Sequence, residues 1–103
     1  IVNASTGAVV VSSVSLSAKN GWQLVPFDTD MAHEQVDAKL LGFRLNDIQT
    51  TKTGSTETLA LSSPWQIPES GGLPINYDAV VSAVSQPITE QDVLSVVFVL
   101  EWA

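Results

Sequence analysis

Hydrophobic and polar residues alternate along most of the chain with a period of two. At the start, the even-numbered positions are mostly apolar: they are Val2, Ala4, Thr6, Ala8 and Val10, and further on Val14, Leu16 and Ala18. Because the side chains of an extended strand point alternately to opposite faces, this pattern predicts strands with one buried face. The alternating segment of residues 2–18 is longer than an average strand, so we expect it to be interrupted near Gly7 or around Ser12–Ser13.

The same alternation returns in shorter segments, which are separated by turns rich in glycine, proline and threonine. These segments are residues 22–25, 36–45, 59–61, 73–83 and 93–102. No segment keeps a helical spacing of apolar residues, so we expect an all-β domain built as a β-sandwich. The proline-rich residues 62–74 are expected to be irregular, and the last strand, apolar on both faces, is expected in the middle of a sheet.

Composition narrows the classes of partner. The 103 residues suit one domain, and an apolar content of 45% supports a real core. A net charge of −7, with only four basic residues, argues against binding to nucleic acid or to anionic lipid. The apolar stretches are too short to insert into a membrane as a helix. The chain starts at Ile1 without a methionine, which we interpret as the start of a processed or trimmed mature chain, so we expect an exported protein with an extracellular location.

Residues suited to catalysis or metal binding are scarce. Asp28, Asp30, His33 and Glu34 form the one acidic cluster with a histidine, and we interpret it as a solvated loop. His33 is the only histidine and cysteine is absent, so zinc ligation lacks a second nitrogen or sulfur ligand. The spacing also departs from that of a calcium loop, and no nucleophile elbow or phosphate-binding loop is present. We therefore predict a protein that is not an enzyme and has no metal or cofactor.

The aromatic residues suggest either core packing or surface contact. Trp22 and Trp102 lie in or beside alternating strands, so we expect them in the core. Trp65, in the proline-rich stretch, and Tyr77 are candidate surface contacts for a partner subunit or a glycan. Asn3-Ala4-Ser5 matches the acceptor pattern for asparagine glycosylation, a tripeptide that also occurs by chance.

Both ends of the chain resemble one family. Residues 73–103, LPINYDAVVSAVSQPITEQDVLSVVFVLEWA, are similar to the last two strands of the chaperone–usher pilins, the fimbrial subunits assembled by donor-strand exchange. The opening IVNASTGAVVV resembles the donor arm of these subunits. The resemblance covers about half of the chain. The sequence departs from the family in lacking the cysteine pair of many such pilins and in carrying Trp102 where tyrosine is usual.

The resemblance implies an immunoglobulin-like sandwich that lacks one strand and receives it from a neighbouring subunit. Residues 1–10 would be an N-terminal extension and residues 11–103 the sandwich domain. The donor strand would present Val2, Ala4, Thr6, Ala8 and Val10 to a groove flanked by Leu94, Val96, Phe98 and Leu100. Burial of five such side chains gives roughly 5–10 kcal/mol gross, comparable to the stability of a whole domain.

The implied partners are further copies in a homo-oligomer or filament, an assembly chaperone, and a host glycan or protein receptor. The alternative interpretation of residues 1–10 is an ordinary first strand that folds back into its own sheet. Two other functions stay open on the same residues. One is a small capsid or decoration protein of a virion, and the other is a glycan-binding module that uses Trp65 and Tyr77.

Overall fold

A computed structural model describes residues 1–28, 36–87 and 92–103 of the chain. Every regular element in these ranges is a β-strand. The strands are β1 (Val9–Ala18), β2 (Gln23–Leu24), β3 (Leu40–Leu45), β4 (Ile48–Gln49), β5 (Thr56–Ile67), β6 (Tyr77–Val81) and β7 (Leu94–Trp102). They form two sheets, so the all-β prediction is confirmed and the architecture is compatible with a β-sandwich.

The first sheet is antiparallel and has the order β5-β1-β7. β1 lies in its middle, where Val14 is opposite both Leu59 and Phe98. The register of both pairings shifts between Val11 and Ser13, so the interruption expected around Ser12–Ser13 is confirmed. Before this bulge the odd-numbered Val11 faces the core, and after it the even-numbered Val14 and Leu16 do, since all three are buried.

β5 corrects the expectation that residues 62–74 are irregular, because the strand continues to Ile67. Its pairing with β1 passes from Ala60 opposite Ser13 to Trp65 opposite Val11. Residues 61–64 therefore bulge out opposite a single residue of β1. Pro64 falls in this bulge, where its missing N–H breaks no ladder hydrogen bond, so proline is compatible with the strand.

In the second sheet β3 is the central strand. β2 runs parallel to the start of β3, and β4 returns antiparallel beside its end. β6 pairs with β3 on the opposite edge, from Leu41–Val81 to Leu45–Tyr77. The tight connection between β3 and β4 uses Asn46 at a φ of 49°, a left-handed conformation that asparagine tolerates better than most residues.

The core lies between the two sheets. Its buried apolar residues are Val11, Val14, Leu16, Trp22, Leu24, Leu41, Phe43, Leu45 and Ile67. Burial of each large side chain stabilises the fold by about 1.5–3 kcal/mol before entropy is counted. The expectation of core packing is confirmed for Trp22 and is wrong for Trp102, which ends β7 with 71% of its surface exposed.

β7 also differs from its expected central position. Among the described residues it pairs only with β1, so it is an edge strand. Val97 and Val99, which point away from the core, stay 54% and 39% exposed because no other described element covers that face. β6 is likewise an edge strand, with β3 as its partner. β7 is thus an edge strand of the first sheet, as β5 is on the other side, and β6 is an edge strand of the second sheet.

Candidate functional site

An apolar groove opens between the edge strands β6 and β7. It has a volume of about 310 Å³ and is lined by Phe43, Leu45, Ile75, Tyr77, Leu94, Val96 and Phe98. We call this set the β6–β7 groove. Among the described residues, no strand closes the space between the two sheets along this side.

The wall on the β7 side follows from simple alternation. Leu94, Val96 and Phe98 are half-buried and point into the groove, whereas Val97 between them points outward. Three of the four residues predicted to flank an acceptor groove are therefore brought together. The fourth, Leu100, lies one step further along β7 and is 51% exposed. It lines a neighbouring depression with Val9 and Trp102 instead.

The opposite wall and the floor come from β3 and from the chain around the start of β6. Phe43 and Leu45 are buried and form the floor, whereas Tyr77 stands at the rim with 74% of its surface exposed. Sequence reasoning named Tyr77 only as a surface contact and missed Phe43, Leu45 and Ile75 as lining residues. All three lie on the apolar side of an alternating pattern, which predicts that they are buried. Alternation alone does not reveal which strands face each other across two packed sheets.

The chemistry of the groove favours an extended apolar segment as its occupant. The described residues that line it offer no carboxylate, imidazole, ammonium or guanidinium group. Within the part of the chain that the structure describes, β6 pairs only with β3 and β7 only with β1, so each has an edge whose backbone N–H and C=O groups face no strand. An inserted strand can pair with such groups while its alternate side chains fill the space between the sheets.

The predicted donor segment is divided in the structure. Val10 is part of β1 and is paired on both sides, with Gln66 and Glu101. The carbonyl of Ala8 accepts a hydrogen bond from the N–H of Ala103. Val2 is 83% exposed and forms an isolated antiparallel bridge with Gly72. Residues 1–8, which precede β1, are called the arm below.

A second, polar cleft lies beside the first. It has a volume of about 260 Å³ and is lined by Arg44, Asn46, Asn76, Tyr77 and Asp78. The Arg44 guanidinium contacts Asp78 Oδ2 at 2.9 Å and lies 4.5 Å from the centre of the Phe27 ring. Both contacts hold the Arg44 side chain in place at the surface.

Trp65 is not the exposed platform that its proline-rich surroundings suggested. It is half-buried in β5 and packs against the core. Its indole N–H donates to Asp47 Oδ1 at 3.1 Å, which satisfies its polar edge.

Most of the acidic cluster with the histidine, namely Asp30, His33 and Glu34, lies outside the described residues. In the ranges that the structure describes, no group of three or more acidic, histidine or cysteine side chains is placed to hold a metal ion. Nor does any helix in those ranges have the length and apolar character needed to cross a membrane.

Comparisons with protein-family models, curated proteins and solved structures find no match to this chain.

Proposed function

We propose that this protein is a structural subunit of an extracellular filament, assembled by β-strand complementation. The arm of one copy lies in the β6–β7 groove of the next and completes an immunoglobulin-like sandwich there. The observation that carries this proposal is the apolar groove flanked by the free edges of two sheets. A filament subunit of this kind needs no cofactor and catalyses no reaction.

The dimensions of arm and groove are compatible. A strand advances about 3.3–3.4 Å per residue, so the eight residues of an extended arm span about 26 Å. β6, with five residues, spans about 17 Å by the same measure. Val2, Ala4, Thr6 and Ala8 repeat at the same two-residue interval as Leu94, Val96 and Phe98 of the groove wall.

Charge supports the same pairing. Residues 2–8 carry no charged side chain, and none of the described residues that line the groove carries one either. Insertion therefore buries no unpaired ion, which would cost several kcal/mol. The net charge of −7 belongs to other parts of the chain, where it opposes unspecific association of subunits.

A groove that is open before assembly must be covered by another protein if the subunit is not to aggregate. Exposed apolar surface beside unpaired strand edges is a common route to aggregation. We therefore include in the proposal an assembly chaperone that occupies the groove by adding a strand of its own.

Binding of a labelled peptide of residues 1–10 to the full chain tests the acceptor function. Val96→Asp places a charge in the groove and should weaken binding more than tenfold. Val97→Asp, on the outward face of the same strand, is the matched control and should leave binding close to wild type. Equal binding to the two variants, or no binding to the wild type, would refute the groove as a strand acceptor.

The polar cleft supports a second candidate function, the binding of a glycan. Its planar polar side chains and the exposed ring of Tyr77 are the groups that commonly contact sugars. The Arg44–Asp78 pair leaves the cleft without strong net charge, which favours a neutral sugar. Asn76→Ala should abolish glycan-array binding and leave filament assembly unchanged, whereas retained glycan binding would remove this candidate.

A further inference from the structure

The arm is not free in the single subunit. Its first residues pair in antiparallel fashion with the segment before β6: the N–H of Leu73 donates to the carbonyl of Ile1 at 2.7 Å, and the N–H of Asn3 donates to the carbonyl of Gly71 at 2.8 Å. Val2 and Gly72 are the bridge pair between these bonds. The arm thus has a binding site on its own chain.

Asn3 fixes this arrangement with its side chain. Although it is polar, it is only 7% exposed. Its Nδ2 donates to the carbonyl of Gly7 at 2.9 Å and to the carbonyl of Ile67 at 3.1 Å. Its Oδ1 accepts from the N–H of Ser5 at 3.0 Å. Both N–H groups of the amide are therefore used, and one of these bonds ties the arm to the end of β5.

The same bonds exclude the extended shape that a donor strand requires. In an extended strand, residues four apart are separated by about 13 Å. The Asn3 side chain instead reaches the carbonyl of Gly7, and residues 5–7 form a bend. The arm must leave this conformation before it can lie in a groove.

We propose that residues 1–7 form a latch, locked by Asn3, that holds the arm on its own subunit and must open before the arm is donated. This inference rests on the proposed filament function, because it names the step that controls strand donation. A subunit with a closed latch can still accept a strand in its β6–β7 groove but cannot donate one. Growth is then governed by how often the latch opens.

An engineered disulfide tests the latch directly. Val2 and Gly72 are a non-hydrogen-bonded pair, in which Cα atoms lie about 4.5 Å apart and within reach of a disulfide. A Cβ on Gly72 meets only the carbonyl oxygen of Ile1, at 3.4 Å, and the chain has no other cysteine. In the full chain carrying Val2→Cys and Gly72→Cys, we expect no filament growth when oxidised and growth restored by dithiothreitol. Equal growth in both states would overturn the latch.

Peptide binding separates this inference from the proposed function. The oxidised double variant should bind the peptide of residues 1–10 as the reduced one does, because its groove is open. If neither form binds the peptide, the filament proposal fails. If both bind it and both assemble at the same rate, only the latch fails.

Hydrogen exchange gives a readout that does not depend on assembly. The amides of Asn3 and Leu73 should be protected in the wild-type subunit. Asn3→Ala should speed their exchange about tenfold, the effect of losing about 1.4 kcal/mol of hydrogen bonding, without changing the amides of β1. Asn76→Ala, at an exposed asparagine, is the control. Unprotected Asn3 and Leu73 amides in the wild type would overturn the latch.

Discussion

Phe43 and Tyr77 stack on neighbouring strands, with their ring centroids 6.2 Å apart and their planes at 20° to each other. Phe43 is 6% exposed and Tyr77 is 74% exposed, so the pair runs from the core to the surface. The two rings mark the place where the space between the two sheets opens into the β6–β7 groove. Loss of the outer ring therefore uncovers part of the inner one.

We expect Tyr77→Ala to destabilise the fold by about 1 kcal/mol, since an aromatic pair contributes roughly 0.5–1.5 kcal/mol beyond its buried area. The same variant should bind the peptide of residues 1–10 more weakly, because one side of the groove loses its rim. Tyr77→Phe keeps the ring and should match the wild type in both measurements. Urea unfolding and peptide titration measure the two effects, and an equal loss in both variants would contradict the role given to the ring.

Thr50 links the second sheet to the chain after β2, although it is polar and fully buried. Its hydroxyl donates to the carbonyl of Val25 at 2.7 Å and accepts from the N–H of Phe43 at 3.1 Å. Thr50→Val keeps the shape but leaves both backbone groups short of a partner, so we expect a loss of about 1–3 kcal/mol. Thr50→Ser keeps the hydroxyl and loses one methyl group, which costs about 1 kcal/mol. Urea unfolding that finds the valine variant more stable than the serine variant would contradict this account.

The alternation of apolar residues predicted where strands occur and which of their faces are buried. It worked for Leu94, Val96 and Phe98 because one face of β7 meets the core whatever its neighbours are. It failed for the position of β7 in its sheet, because apolar residues on both faces do not specify how many strands lie alongside. The groove was therefore only partly predictable: its floor, Phe43 and Leu45, belongs to a strand far away in sequence.

The prediction that Pro64 and Trp65 lie in an irregular stretch is wrong for a related reason. Pro64 predicts a break when each residue is considered by itself, but a long-range bulge opposite β1 accommodates it. Trp65 then follows in a strand instead of a loop and becomes half-buried. The latch of Asn3 could not be predicted either, since its partner Ile67 is 64 residues away.

Glu57 supports the loop after β4 with a buried carboxylate that is 7% exposed. It accepts hydrogen bonds from the N–H and hydroxyl groups of Thr51 and from the N–H of Lys52. Glu57→Gln turns one acceptor oxygen into a donor that faces these donors, so we expect a loss of about 1–3 kcal/mol. Glu69→Gln, at an exposed carboxylate, is the control. Thermal or urea unfolding that gives equal stability for both variants would show that the carboxylate is not needed.

Asp37 should make the stability depend on pH in the acidic range. The hydroxyl of Ser85 donates to Asp37 Oδ2 at 2.6 Å, and the N–H of Ser85 donates to Oδ1 at 2.8 Å. These bonds, the hydroxyl first, lower the pKa of the Asp37 carboxyl below its ordinary value of 3.8. Because the ionised form is favoured in the folded chain, the resulting stabilisation is present above that value and is lost as the pH falls through the lowered pKa.

Ser85→Ala removes the hydroxyl bond and keeps the backbone bond, so the pKa of Asp37 should rise towards 3.8 without reaching it. The wild type should be slightly more stable than the variant at neutral pH, and the difference should vanish at the acidic end of the titration. The effect is small because Asp37 is fully exposed to solvent. Carbon-13 NMR titration of the carboxyl group measures the pKa in both chains. An unchanged pKa in Ser85→Ala would mean that the hydroxyl does not stabilise the carboxylate.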